Sequence, residues 1–193
     1  MRIIKPILFA ILLVSISSKA LTYDKVALEI RSNYNFVTDD IQGLDVNTGY
    51  GVEVALNYNF MEQLGVYVGW GWNHFTLEAS NTNDGFVFDE TGFNFGLQYI
   101  KPIGDSEELS YLVKAGGIYN QVIIEPESSG SREFGPQLGW EFCLGIQYGI
   151  GKAWFIRPQL SYSSLTGDYI VSGRSYDFKL NYIAFGLGIA KSF

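Results

Sequence analysis

The sequence of 193 residues has one cysteine, Cys143, one histidine, His74, and five prolines. A single cysteine excludes an intrachain disulfide and any cysteine-based zinc site. Positive charge is scarce as well: 13 Lys and Arg stand against 20 Asp and Glu, a formal net charge of −7. That balance argues against nucleic acid as a partner. Long apolar runs are missing. The one continuous stretch, Ile7 to Ile16, is about half of the ~20 residues that a spanning helix needs. No segment of helical period extends beyond a turn or two. No linker, low-complexity tract or second domain is visible, so the length fits one domain.

The apolar stretch has a different use. In "MRIIKPILFAILLVSISSKA", Arg2 and Lys5 precede it and Ser18-Lys19-Ala20 follows it. This is the charged region, apolar region and small-x-small site of a secretory signal. Residues 1–20 are therefore expected to be a cleaved leader and 21–193 the mature domain, with Leu21 its first residue. No cysteine lies near the cleavage site, which argues against a lipoprotein. Of the 13 basic residues, Arg2, Lys5 and Lys19 leave with the leader, so 10 remain against 20 acids, a net charge of −10.

The chain is rich in residues that suit strands with unlike faces: 22 Gly, 13 Tyr, 14 Phe and 4 Trp. Eight segments alternate with a period of two, the signature of a strand. They are "DKVALEIRSNYNFVT", "TGYGVEVALNYNF", "LGVYVGWGWNHF", "TGFNFGLQYI", "SYLVKAGGIYNQ", "PQLGWEFCLGIQY", "AWFIRPQLSY" and "NYIAFGLGIAKSF". One face of each is large and apolar, as in Ile183, Phe185, Leu187 and Ile189. The other is glycine, amide and charge, as in Gly51, Glu53, Ala55 and Asn57. A soluble barrel of lipocalin type also alternates, but its polar face meets water and is densely charged. A glycine-rich opposite face suits a narrow lumen instead. The glycines of "YVGWGW" sit inside a strand, which excludes a phosphate-binding loop.

The connections point the same way. "MEQ", "KPIGDSEE" and "GIGK" are short. The other four, about Asp39–Val46, Ser80–Phe88, Glu125–Phe134 and Ser164–Asp177, are expected to be long loops. Strict alternation of short turn and long loop is the pattern of outer-membrane barrels, with both termini on the short-turn, periplasmic side. Aromatics mark both ends of the apolar columns. Tyr58, Phe60, Tyr99, Tyr111, Tyr148, Trp154 and Phe193 lie by the short turns. Tyr34, Phe36, Tyr50, Trp72, Phe93, Tyr119, Trp140 and Tyr162 lie toward the long loops. Two such belts match the two interfaces of a bilayer.

On these residues the chain, from Asp24 to Phe193, resembles the small eight-stranded outer-membrane barrels of Gram-negative bacteria, the OmpA/OmpX-like and opacity-protein-like group. The resemblance implies an all-β, eight-stranded antiparallel up-and-down transmembrane barrel, preceded by the leader, integral to the outer membrane. It implies that Phe185, Leu187, Ile189 and Phe193 form an assembly signal read by the barrel-assembly machinery. Lys191 departs from the pattern, close enough to the interface for its ammonium to reach the headgroups. The other expected partners are outer-membrane lipids and lipopolysaccharide, and the barrel is expected to be a monomer. The peptidoglycan-binding domain that follows the barrel in OmpA is not seen in this sequence.

Nothing in the sequence assembles a nucleophile, a base and an orienting group. By parity His74 points outward above Trp72, as an interfacial residue. No enzyme activity, cofactor or metal site is expected. The inward face carries Glu29, Glu53 and Glu141 with Arg31, Lys114 and Arg157. These six are expected to share one layer near the short-turn end as a neutral ion-pair network, with Asn94, Gln98, Gln147 and Gln159 filling the remaining hydrogen bonds. The long loops are read as acidic, through Asp39, Asp40, Asp45, Glu78, Asp84, Asp89, Glu90, Glu125, Glu127, Glu133, Asp168 and Asp177, opposed only by Arg132 and Arg174. The first reading of these acids is solvated loops of random charge; the sharper one is a contact, bridged by divalent cations, with lipopolysaccharide phosphates or with a host or neighbour-cell surface. Two functions follow: a structural or surface-interaction protein with a filled lumen, or a narrow pore. A lipid-modifying enzyme is a distant third. An eight-stranded barrel is just wide enough for side chains to fill, which favours the first.

Overall fold

The computed structural model describes residues 25–38, 45–78, 85–106, 108–126, 132–171 and 174–193. The expected leader, residues 1–20, lies outside them. Eight strands run β1 (Val26–Val37), β2 (Asp45–Asn59), β3 (Leu64–Glu78), β4 (Gly85–Pro102), β5 (Leu109–Pro126), β6 (Arg132–Gly151), β7 (Trp154–Val171) and β8 (Arg174–Ser192). Each pairs antiparallel with its neighbours in sequence, and β8 returns to β1, so the sheet closes into a barrel. Closure leaves no strand edge. Among the described residues no helix occurs.

The alternation sets the two faces. Leu138 is 65 % exposed, and Ile30, Phe93 and Phe185 are each more than half exposed. A wall of exposed aliphatic and aromatic residues running round the barrel needs hydrocarbon against it. Inward residues are buried, including Glu29, Arg31, Lys114 and Arg157. The aromatic residues of both expected belts lie on the outward parity. Trp72 and Tyr162 are partly covered by ring contacts, with Tyr50 at 5.8 Å and Trp140 at 5.4 Å. Pro158 sits in mid-β7 facing out. Pairing of β7 with β6 lapses beside it, between Gln159 and Ile156, because proline has no N–H to give the ladder. Pairing with β8 continues through Leu187.

The loop pattern differs from expectation. The turns at 60–63, 103–108 and 152–153 are short, but the opposite connections are not long. They shrink to residues 38–44, 79–84, 127–131 and 172–173, because the strands run on through much of what the sequence reads as loop. β4 to β8 have 18–20 residues, about twice what a tilted strand needs to cross a bilayer. Three hairpins therefore continue past the membrane as paired strands. Above the lipid an apolar column has nothing to face, so the alternation that identifies a strand fades while the backbone pairing persists.

Candidate functional site in the barrel lumen

β1 places Glu29 and Arg31 two residues apart on the inward face, at two heights in the lumen. Around Glu29, Lys114 Nζ lies 3.0 Å and Arg157 Nη1 2.7 Å from Oε2, while Gln159 Nε2 donates to Oε1 at 2.5 Å. Gln147 Oε1 accepts from Arg157 Nε and Nη2. Around Arg31, Nη2 donates to Glu53 Oε2 at 2.5 Å and lies 3.6 Å from Glu141 Oε2. Gln159 joins the two groups, because its Oε1 accepts from Arg31 Nη1 at 3.0 Å. All six charged residues are at most 7 % exposed. The structure thus brings them together in two stacked clusters bridged by one amide, not in the single layer expected. Gln147 and Gln159 complete the network. Gln98 instead donates to Asn59 Oδ1, and Asn94 Oδ1 has no partner among the described residues.

The lumen glycines make room for this packing. A Cβ on Gly188 would come within 2.7 Å of Glu29 Oε1, and one on Gly69 within 2.2 Å of Asn94 Oδ1. A side chain from one strand lies where its neighbour has none.

These six balance, but among the described residues a seventh buried group joins them in the lumen. Glu90, read from the sequence as a loop acid, lies in β4 and is fully buried inside the barrel. Its Oε1 accepts from Asn120 Nδ2 at 2.7 Å and its Oε2 from Asn73 Nδ2 at 3.1 Å. Asp89, its neighbour, faces out and lies 2.7 Å from His74 Nδ1. Of the other expected loop acids, Asp39, Asp40, Asp84 and Glu127 lie outside the described residues. So do the side chains of Asp45, Glu78, Glu125, Glu133, Asp168 and Asp177, and those of Arg132 and Arg174.

Above Glu90 the lumen turns apolar, a feature the sequence reading missed. Phe75, Phe88, Ile118, Val122, Leu165 and Leu180 pack into a buried cluster with Tyr182 and Ala184. Phe75 and Phe88 stack with centroids 4.7 Å apart, and Tyr182 meets Phe75 edge-on at 5.4 Å. The signal was parity: Phe75 falls on the Gly69-Gly71-Asn73 face of β3, and Ile118 and Val122 flank Asn120 on β5. Between this stopper and the ion pairs is a chamber of about 20 Å³, lined by Arg31, Asn33, Asn35, Glu53, Asn73, Asn94, Asn120, Glu141, Ser161 and Tyr182, among others. Below the ion pairs a vestibule of about 270 Å³ opens at the short-turn end, with Arg157 and Gln147 in its wall.

The residues of the expected assembly signal lie on β8 and at its end. Phe185, Leu187 and Ile189 face outward, paired across from Tyr34, Ser32 and Ile30 of β1. The Phe193 N–H donates to Val26 O at 2.8 Å. Lys191 Nζ lies between two rings, 4.9 Å from that of Phe193 and 5.4 Å from that of Trp154.

Comparison with known proteins agrees with this geometry. The chain matches the family described as outer membrane protein beta-barrel domain over residues 7–190. Among solved structures it is similar to Neisserial surface protein A, at 10 % identity and a TM-score of 0.61 over 87 % of this chain and 97 % of that one. It is similar to OprG from Pseudomonas aeruginosa, at 14 % identity and a TM-score of 0.57 over 88 % and 96 %. It is similar also to the attachment invasion locus protein Ail of Yersinia pestis, at 14 % identity and a TM-score of 0.54 over 88 % and 98 %. No curated protein sequence matches it. With the family model spanning nearly its whole length and the eight-stranded barrel closed, the chain belongs to the outer membrane protein beta-barrel domain family and is an integral protein of the outer membrane.

Proposed function

We propose that this barrel is a sealed, non-enzymatic membrane anchor whose work is done on the cell surface, in adhesion or envelope integrity. The observation that carries this reading is the lumen. Two buried ion-pair clusters and an aromatic stopper occupy it at different heights, and a path for solute would have to break all three. The hairpins that continue past the membrane supply a surface for partners. His74, the only histidine, stands on the outward wall against Asp89, away from the lumen. The acidic composition favours partners that are cationic or that bind through divalent cations, including the phosphates of lipopolysaccharide. In this it contrasts with Ail, whose structure with the heparin analogue sucrose octasulfate concerns a polyanion.

A deletion strain complemented with variants tests the reading. Shortening the β5–β6 and β7–β8 hairpins to tight turns should abolish adhesion, or restore the null strain's sensitivity to chelators. Lumen substitutions that still fold should preserve both. Loss of function from lumen substitutions alone, with the hairpins intact, would refute it.

A further inference from the structure

Among the described residues, the charges sealed in the lumen do not balance. Glu29, Glu53, Glu90 and Glu141 stand against Arg31, Lys114 and Arg157, four carboxylates and three cations, all buried. The surplus is localised. Glu29 touches both Lys114 and Arg157, so the lower cluster holds one positive charge in excess. Arg31 is shared between Glu53 and Glu141, and the hydrogen bonds Glu90 accepts come from neutral groups. The region around the chamber therefore holds two negative charges in excess. A buried charge without compensation is strongly unfavourable.

The chamber wall shows the same want of positive charge. A carboxylate only accepts, so Glu90 fixes the amides around it. Asn73 and Asn120 turn Nδ2 toward it, and Asn73 Oδ1 then accepts from Asn35 Nδ2 at 2.9 Å. The oxygen ends of Asn35 and Asn120 are left over. With Asn94 Oδ1 and Glu141 Oε1 they are buried without a hydrogen-bond partner. All four residues line the chamber, and none is more than 7 % exposed. The Arg31 guanidinium also borders it: Nη2 and Nη1 are turned onto Glu53 and Gln159, Glu141 lies 3.6 Å away, and Nε is the one donor of this wall buried without a partner, against the four oxygens of Asn35, Asn94, Asn120 and Glu141.

The chamber, at about 20 Å³, has room for one water-sized particle. One water brings two donors and no charge. A proton on a carboxyl removes the charge but supplies a single donor. A divalent ion prefers more oxygens and retained waters than this space allows, and it would overshoot the lumen's net surplus of one. A small monovalent cation meets both needs. We propose that the mid-lumen chamber binds one monovalent cation of sodium or potassium size, held by Glu141 and the amide oxygens of Asn35, Asn94 and Asn120. It is the counter-ion to the Glu90–Glu141 surplus. The inference does not depend on what the hairpins bind.

The test uses the refolded full barrel in detergent. Unfolding temperature is followed in sodium, potassium, caesium or N-methylglucamine chloride at equal ionic strength and pH, and crystals are soaked in thallium(I) or rubidium for anomalous scattering. The expected results are a saturable upward shift with sodium or potassium, none with N-methylglucamine, and one anomalous peak in the chamber. Glu141→Gln and Glu90→Gln each remove one negative charge, and either should lose the shift while still migrating as a folded species. If neither variant folds, the anomalous map of the unsubstituted protein decides alone. Equal unfolding temperatures in all four salts with no peak would overturn the proposal and assign the surplus to a proton. A shift that persists undiminished in both variants would also overturn it, by placing the ions elsewhere.

Discussion

Glu29→Gln is the most informative single change in the lumen. The carboxylate is 1 % exposed and meets Lys114 at 3.0 Å and Arg157 at 2.7 Å. At an effective dielectric near 20, a pair at this distance gains about 5 kcal/mol before desolvation is subtracted. Glutamine keeps the shape and can still meet Gln159, but strands two cations. They differ in their routes of relief. Arg157 borders the vestibule and can rehydrate from it. Lys114 is 1 % exposed, with its ammonium 5.3 Å from the Tyr67 ring centre, and cannot. Stranding a buried charge costs about 3–5 kcal/mol. Arg157→Ala is milder, because Glu29 keeps Lys114 and Gln159 and water can enter from below, for roughly 1–3 kcal/mol. Glu29→Gln combined with Lys114→Met removes the stranded ammonium and should recover most of the loss. Urea-dependent folding into lipid vesicles, followed by gel mobility of unheated samples and by tryptophan fluorescence, ranks the variants. A Glu29→Gln barrel no less stable than Arg157→Ala, with no rescue by Lys114→Met, would show that water already solvates these charges and would refute the reasoning.

The aromatic stopper should be as sensitive: Phe75→Ala, which removes one of two stacked buried rings, should cost about 3 kcal/mol or more in the same titration, and a loss below about 1 kcal/mol would mean the cluster is loosely packed. Ala153 holds φ at +66° in the β6–β7 turn, so Ala153→Gly should stabilise the barrel by roughly 0.5–1 kcal/mol, whereas Ala153→Val should destabilise it. Deleting Phe193 should reduce folded protein in the outer membrane of cells, with far less effect on refolding of the purified chain in detergent; equal loss in both assays would assign Phe193 to packing rather than to assembly.

The walls of the barrel were legible because lipid on one side and a narrow lumen on the other impose a strict period of two. Parity alone placed Glu29, Arg31, Glu53, Lys114, Glu141 and Arg157 inside, and His74 outside. It could not give height along the axis or the neighbour across the barrel, which depend on strand tilt and stagger. Hence Gln159 and Gln147 joined the network while Asn94 and Gln98 did not. The misreading of Glu90 has the same root as the misreading of the loops. Beyond the lipid the outward column no longer has to be apolar, so β4 appeared to begin after Glu90. The stopper was hidden by the assumption that the inward face is polar throughout, although Phe75 and Leu180 kept the inward parity.

Planar-bilayer recording of the purified barrel measures most directly whether the lumen is sealed. The unsubstituted protein should give no steady current. Arg157→Ala should remain silent, because the Arg31 cluster and the stopper are untouched, and Arg157→Ala and Arg31→Ala combined with Phe75→Ala and Phe88→Ala should conduct. A stable, ion-selective current from the unsubstituted protein would contradict a sealed lumen and make the barrel a narrow pore.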